Sequence, residues 1–218
     1  LIFEPMTIDY PMASIRFHKF AIEGMQDIQK QTEKSKAFYF PYVEEKRGVA
    51  DKLLVELAKN AAVVITDDYP TYFVPQMTAE AKGSIQTTYE LVDSNGLLPI
   101  RIAEKEYVRA HDFRRFMHKN IEDFLVEVPE KDPLEYLNLK FDEKLLEPIF
   151  KKYELVDFNK VNTQDFLNNL NVDKSVEVSD VVGGYNAAKS RLDLFAKKGF
   201  NDYACLLYTS PSPRDDIS

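Results

Sequence analysis

The chain of 218 residues contains no tryptophan and one cysteine. A single cysteine cannot form an internal disulfide, so a small secreted scaffold held together by disulfides is excluded. No apolar run approaches the roughly 20 residues that a membrane-spanning helix needs. The sequence opens without the basic and apolar regions of a signal peptide, so we expect a cytoplasmic protein with no membrane partner.

Basic residues are fewer than acidic ones: 28 Lys and Arg against 36 Asp and Glu give a net charge of −8. Strong DNA binding needs clustered Lys and Arg that neutralise phosphates. We therefore expect no strong DNA binding by this chain alone. Its length and its 44% of hydrophobic residues predict a globular protein of one or two domains with a sizeable core.

Apolar runs alternate with helical patterns in the first half of the chain. The runs predict strands at residues 1–3, 37–43, 62–66 and 88–92. The third run is rich in β-branched residues, which is typical of a strand covered on both faces. The first helical pattern has its apolar face at Phe17, Phe20, Ala21, Met25 and Ile28. The alternation predicts an α/β fold with a doubly wound, Rossmann-like parallel sheet of at least four strands.

Beyond residue 96 the alternation ends, and the spacing of apolar residues predicts a long amphipathic helix from Ala110 to Phe124. Residues 129–182 are charged and rich in Asn and Asp, which indicates an interdomain connector with short helices near 145–153 and 163–170. After Gly183 and Gly184 a helical pattern indicates the first helix of an all-α domain that the chain does not contain. The predicted domains are therefore residues 1–128, 129–182 and 183–204.

Both ends of the sequence indicate truncation. The chain begins inside an apolar run without an initiator Met, so we expect a missing upstream strand. The first strand of a doubly wound sheet is internal, and its loss should leave a gap at the centre of the sheet. Residues 205–218 resemble translated sequencing-adaptor read-through and are predicted to be a non-native tail, with a natural disordered tail as the alternative.

Signatures of catalysis are scarce. The sequence has no Gly-rich phosphate loop, no H-E-x-x-H, no pair of cysteines and no G-x-S-x-G. His18, His111 and His118 are predicted to be core or surface histidines, with a ligand or acid–base role as the alternative. Asp67 and Asp68 follow a predicted strand, where they would either cap the next helix or contact a ligand.

Two charged runs are better explained by solvation than by binding. Arg114 and Arg115 could contact phosphates, but acidic residues follow on the same helix, so a solvated charged face is the preferred interpretation. Residues 44–47 have the sequence E-E-K-R, and their mixed charge predicts a solvated loop.

Three stretches together resemble the photolyase/cryptochrome family. Residues 4–25, with D-Y-P-M-A-S-I-R-F-H-K-F and G-M, are similar to the family's second strand and following helix, although Met12 stands where Trp is expected. Residues 63–77 contain V-V-I-T-D-D-Y-P and F-V-P-Q-M, and are similar to a strand-end loop of the family. Residues 92–116 contain V-D-S-N-G-L-L-P and A-H-D-F-R-R-F, and resemble its V-D-x-N stretch where the chain leaves the α/β domain.

A fourth stretch resembles the helix that opens the family's flavin-binding domain. It runs from Gly183 through G-G-Y-N-A-A-K-S-R-L and a Phe to Tyr203. In the family a tyrosine at this place contacts FAD, so the resemblance implies that Tyr203 is a flavin contact. The family's next landmarks, an Arg-bearing turn and an S-x-L-S-P-Y segment, do not follow it.

The resemblance implies that the parent protein is a DNA photolyase-like flavoprotein. Such an enzyme uses light and reduced FAD to repair cyclobutane pyrimidine dimers in damaged DNA, which would bind through the absent helical domain. Residues 1–128 would form the domain that can hold an antenna chromophore. The fragment itself is expected to be inactive. The alternatives are a cryptochrome-like light receptor without repair activity and an unrelated α/β nucleotide-binding module.

Overall fold

The structure is a computed structural model that describes residues 1–46, 48–50, 52–126, 128–138, 141–160, 163–201 and 203. Its strands are β1 (Ile2–Met6), β2 (Tyr39–Val43), β3 (Val63–Asp67) and β4 (Thr88–Val92). Its helices are α1 (Ile15–Thr32), α2 (Leu53–Ala58), α3 (Val74–Ser84), α4 (Ala110–Asn120), α5 (Glu147–Phe150), α6 (Thr163–Asn169) and α7 (Tyr185–Leu194). The predicted tail, residues 205–218, lies outside the described residues.

The chain divides into two compact units. Unit 1 comprises residues 1–47 and 155–218, and unit 2 comprises residues 48–154. Each unit contains one pair of adjacent strands, β1 with β2 in unit 1 and β3 with β4 in unit 2. Both pairs are parallel, with Ile2 opposite Tyr39 and Val63 opposite Thr88.

The four predicted strands are confirmed, but the predicted single sheet of four or more strands is not what the described residues form. They form two sheets of two strands each. Apolar runs rich in β-branched and aromatic side chains identify a strand. They do not identify its neighbour, because strands pair through backbone groups that every residue carries. The fold shown is therefore α/β with short parallel strand pairs.

Unit 1 buries its strand pair in a continuous core. Every residue of β2 is buried, and Val156 N donates a hydrogen bond to Pro41 O at 3.0 Å. The predicted inward face of α1 is partly wrong, because Phe17 and Phe20 are about half exposed. The side chains that fill the core come from α1, β2, α6 and the segment after residue 155, and they are Ile15, Ile22, Met25, Val43, Val156, Leu167 and Leu170.

Unit 2 leaves its strand pair largely uncovered. We expected β3 to be covered on both faces, and this is wrong: Val63 is 39% exposed and Ile65 is 59% exposed. Neither α3 nor α4 buries a residue, so neither of these two helices covers the strands as a parallel sheet requires. The buried side chains of unit 2 instead come mainly from short helices and their flanks, and they are Leu53, Leu57, Ala58, Ile85, Leu146, Ile149 and Tyr153.

Several helix boundaries follow the sequence signals. Pro75 lies in the first turn of α3, where proline is tolerated, and Gly83 lies in its last turn, before the helix ends at Ser84. The amphipathic pattern beginning at Ala110 forms α4 and continues as a 3-10 turn at Ile121–Phe124. Among the described residues, no helix combines the length and apolar character that crossing a bilayer demands.

Candidate functional site

The carboxyl ends of β3 and β4 form a polar edge in unit 2. Parallel strands end at the same edge of a sheet, which is where open α/β sheets place ligands. Ser94 Oγ donates a hydrogen bond to Asp67 Oδ1 at 2.5 Å. Arg101 donates two hydrogen bonds to the carboxylate of Asp68, one from Nε to Oδ2 and one from Nη2 to Oδ1 at 2.8 Å. The guanidinium therefore binds this carboxylate in a bidentate manner.

The turn after β4 is tied to the loop after β3. Asn95 Nδ2 donates to the backbone carbonyl of Asp68 at 2.8 Å. Within the turn, Ile100 N donates to Asp93 Oδ2 at 2.6 Å, and Asn95 N donates to Asp93 Oδ1 at 3.4 Å. Two of the three stretches that carry the family resemblance thus meet at this edge, which was not evident from their separation in the sequence.

Hydrogen bonding lowers the pKa of two carboxyl groups at this edge, those of Asp68 and Asp93. The Arg101 guanidinium beside Asp68 lowers the pKa of that carboxyl, and Asp68 in turn raises the pKa of Arg101. Partial burial acts to raise the pKa of Asp93, but hydrogen bonds from Ile100 N and Asn95 outweigh it and lower the pKa. The edge thus presents acceptors for hydrogen-bond donors. The described part of the chain contains no group of three or more His, Cys, Asp or Glu side chains that could hold a metal ion.

Helix capping does not explain Asp67 and Asp68. The N-cap residue of α3 is Phe73, and it makes no side-chain capping bond. Asp67 is the last residue of β3 and Asp68 is bound to Arg101, so the capping interpretation is wrong. Contact of these two residues with a ligand stays a prediction.

A second polar edge lies at the carboxyl ends of β1 and β2 in unit 1. Glu44 is 4% exposed, and its Oε2 accepts a hydrogen bond from Thr7 Oγ1 at 2.7 Å. Asp9 N donates to the same Thr7 hydroxyl at 3.0 Å. The prediction of a solvated loop is therefore wrong at Glu44, and Arg47 lies outside the described residues. The position of Glu44 directly after a strand could have indicated burial, but the charged residues that follow it favoured a solvated loop.

His18 is a core histidine next to this second edge. Its side chain is fully buried, Nδ1 lies 2.9 Å from Ser14 O, and Tyr10 stacks on the ring with centroids 6.0 Å apart. Because a carbonyl oxygen only accepts, Nδ1 carries the proton. Burial lowers the pKa of His18, although the backbone carbonyl of Ser14 acts to raise it. Within the described residues, Nε2 has no hydrogen-bond partner.

The other predicted candidates lie on exposed helix faces. His111 and His118 are exposed on α4, so the prediction of core or surface histidines is confirmed for all three. Arg114 and Arg115 are also exposed, and neither forms an ion pair with another described residue. This is the solvated charged face that the sequence predicts.

Tyr203, the predicted flavin contact, follows a π-helical turn at Phe195–Gly199 in unit 1. Its ring is half exposed and lies edge-on to the ring of Phe195, with centroids 5.7 Å apart. Phe200 contacts Phe195 in the same way at 6.3 Å. Phe195, Phe200 and Tyr203 form an aromatic cluster, and the flavin contact itself stays a prediction.

Comparison with known proteins gives a partial similarity. No family model matches the chain. Over 144 residues, which are 66% of the chain, the sequence is 27% identical to a deoxyribodipyrimidine photo-lyase from Methanothermobacter thermautotrophicus. The matched region is 30% of that protein, so the chain spans less than a third of the length of this curated relative. The chain is thus similar to part of a photolyase, at an identity that supports the predicted resemblance without defining an activity.

Proposed function

We propose that the chain is part of a photolyase-family flavoprotein whose activity is the light-driven repair of cyclobutane pyrimidine dimers. The observation that carries this proposal is the 144-residue similarity to a deoxyribodipyrimidine photo-lyase. The contacts between residues 67–68 and 94–101 give independent support, because they join two stretches singled out by the family resemblance. The domains proposed from the sequence, at 1–128, 129–182 and 183–204, belong to the same proposal.

The doubly wound sheet is also proposed for the complete protein. In support, both strand pairs are parallel and each joins strands that are consecutive in the sequence. The antenna chromophore that the family resemblance implies would bind to this domain, and its chemical identity is left open.

FAD is the proposed cofactor of the parent protein, and Tyr203 fits the role of a single contact with it. Its ring is half exposed and is packed against Phe195, so it is both accessible and supported. One aromatic contact supplies on the order of 1 kcal/mol, whereas micromolar affinity needs about 8 kcal/mol and an enclosing site. We therefore propose that other residues of the parent complete the pocket and that this chain alone does not bind FAD tightly. When bound, FAD would supply electron-transfer chemistry.

Damaged DNA is the proposed substrate. Photolyases belong to the enzymes that take a target base out of the duplex before acting on it. The net charge of −8 makes this chain a poor binder of phosphates. We therefore propose that the contacts with DNA come from the helical domain of the parent.

The proposal is tested by expressing the complete reading frame recovered from the source DNA. Copurification of FAD, together with light-dependent repair of an oligonucleotide carrying one thymine dimer, is the expected result. Bound FAD without repair would favour a cryptochrome-like light receptor. The absence of flavin from a folded, complete protein would overturn the flavoprotein proposal and favour an unrelated α/β module.

A further inference from the structure

The start of α7 is bound to α1 by two carboxylates. Gly183 N donates a hydrogen bond to Glu23 Oε2 at 2.7 Å, and Asn186 N donates to Asp27 Oδ2 at 2.9 Å. Glu23 and Asp27 are four residues apart, so they lie on the same side of α1. The first N–H groups of a helix lack intrahelical acceptors and carry partial positive charge. Asp27 therefore supplies an acceptor to the first turn of α7, and Glu23 binds the N–H of the residue before its N-cap, Gly184. We call Glu23 and Asp27 the carboxylate clamp.

Two glycines allow the close approach that these hydrogen bonds need. A Cβ atom on Gly183 would lie 2.0 Å from the backbone oxygen of Phe20, which no residue could tolerate without movement. Gly184 has a φ of +96°, and a Cβ atom there would lie 2.5 Å from Asp27 Oδ2. The pair is therefore required for contact with α1 as well as for the turn that begins the helix.

Apolar packing does not fix the direction of α7. None of its described residues is buried, and Leu192 and Leu194 are each more than half exposed. The helix leads into the π-helical turn at Phe195–Gly199, a rare conformation that is often found at functional sites. The position of the aromatic cluster thus depends on how the start of the helix is held.

We propose that Glu23 and Asp27 are positioning residues, which hold the start of α7 on α1 and thereby set where the aromatic cluster Phe195, Phe200 and Tyr203 lies. The hydrogen bonds and the glycine contacts carry this inference without reference to a cofactor. Its consequence for flavin, that the clamp places the predicted contact Tyr203, rests on the proposed function.

The absence of tryptophan provides a specific probe. In the 218-residue chain, Phe200→Trp introduces a single tryptophan into the aromatic cluster, and its fluorescence can be excited separately from that of tyrosine. In this background, Glu23→Ala with Asp27→Ala should lower the tryptophan anisotropy. The same pair should speed amide hydrogen exchange at Gly183 and Asn186 by roughly tenfold or more, because each loses a bond to a charged acceptor. Exchange at the buried Ile22 should not change.

Conservative variants separate positioning from a general structural effect. Glu23→Gln with Asp27→Asn keeps an acceptor oxygen at both sites and should restore most of the protection and anisotropy. Asp193→Ala is the matched control, because Asp193 is an exposed carboxylate on α7 that pairs with Lys189 of the same helix. It should leave both measurements unchanged.

Single variants keep the test decisive if the double variant unfolds. Glu23→Ala should act first on the Gly183 amide, and Asp27→Ala first on the Asn186 amide. Unchanged exchange and anisotropy in both single variants, or equal changes in Asp193→Ala, would overturn the proposal. Flavin titration of the complete protein is read separately, so absence of flavin with an intact clamp would count against the proposed function alone.

Discussion

Units 1 and 2 each contain one pair of parallel strands, but β2 of unit 1 is buried whereas β3 of unit 2 is largely exposed. In unit 1 every residue of β2 is buried, and α1 contributes Ile22 and Met25 to the core beside it. In unit 2 the side chain of Ile65 in β3 is 59% exposed, and α3 and α4 bury no residue. Parallel strands are normally covered on both faces, whereas the described residues of unit 2 leave β3 largely exposed.

The difference shows that strand composition and strand burial are separate properties. The run at β3 is as apolar as a core strand, yet the buried side chains of unit 2 come largely from α2, α5 and the residues flanking them. Exposed apolar strands recruit other chains. We therefore expect unit 2, rather than unit 1, to limit the solubility of this chain.

Replacing one isoleucine in each unit by alanine tests the difference in burial between the units, and we expect this test to give the largest change in the free energy of unfolding. Ile22→Ala removes a fully buried side chain from unit 1 and should lower the free energy of unfolding by about 2–5 kcal/mol. Ile65→Ala removes an exposed side chain from unit 2 and should cost about 1 kcal/mol or less. Urea denaturation followed by circular dichroism measures both costs. Equal costs would show that the two strand pairs are covered alike.

Matched glycine substitutions give the next largest effect, with opposite signs in the two units. Gly183→Ala in unit 1 places a methyl group against the backbone of Phe20 and should destabilise by about 1–3 kcal/mol. Gly83→Ala in unit 2 lies in α3 with no atom within 4 Å of the added methyl, and should stabilise by about 0.5–1 kcal/mol. Thermal melting of the two variants reports the signs. A stabilising Gly183→Ala would contradict the close contact with α1.

The sequence predicted where the strands lie better than it predicted which strands pair with one another. The apolar runs located all four strands, because β-branched and aromatic side chains are enriched in strands whether or not other elements then cover them. The pairing of those strands depends on backbone groups that every residue carries, and the single sheet predicted from them is not confirmed: the described residues form two parallel pairs.

The polar edges show the same limit at the level of single residues. The position of Asp68 after a strand was evident, but its partner Arg101 is 33 residues away and no spacing rule connects them. Glu44 was assigned to a solvated run because its neighbours are charged, although it is buried against Thr7. Tyr203 could be proposed only through the family resemblance, so its role as a flavin contact stays a prediction.

Protonation of His18 should make unit 1 the first unit to lose stability as the pH falls. Burial lowers the pKa of the folded state below the ordinary 6.5, so the unfolded state binds the proton more readily. The stabilisation is complete above about pH 6.5 and is lost as the pH falls from there toward the folded-state pKa. The melting temperatures of the unsubstituted 218-residue chain and of its His18→Gln variant, measured between about pH 8 and 5, should converge as the pH falls.

His118→Gln is the control for this pH series, because His118 is exposed on α4 of unit 2. It should leave the slope of melting temperature against pH unchanged in this range. Two results would contradict the assignment to His18: a melting temperature of the unsubstituted chain that does not change with pH near pH 6, or a change with pH that persists in His18→Gln.

The smallest effect should come from the Asp68–Arg101 pair, and it should be confined to lower pH and to unit 2. Arg101 lowers the pKa of Asp68 below the ordinary 3.8, so the folded state holds the carboxylate charged where the unfolded state is already protonated. The stabilisation is present above about pH 3.8 and is lost as the pH falls through the lowered folded-state pKa. Salt should weaken it, because the guanidinium is largely exposed.

Arg101→Gln should move the pKa of Asp68 back toward its ordinary value, as followed by carboxyl chemical shifts. The same variant should speed amide hydrogen exchange at Asn95, whose side chain donates to the Asp68 carbonyl. Without Arg101, the loop after β3 and the turn after β4 lose one of the contacts that hold them together. Arg114→Gln removes another exposed arginine of the same unit that forms no ion pair with a described residue, and should change neither measurement. Identical titration in the two variants would mean that the hydrogen bonds of Asp93 and Asn95, rather than Arg101, hold this polar edge together.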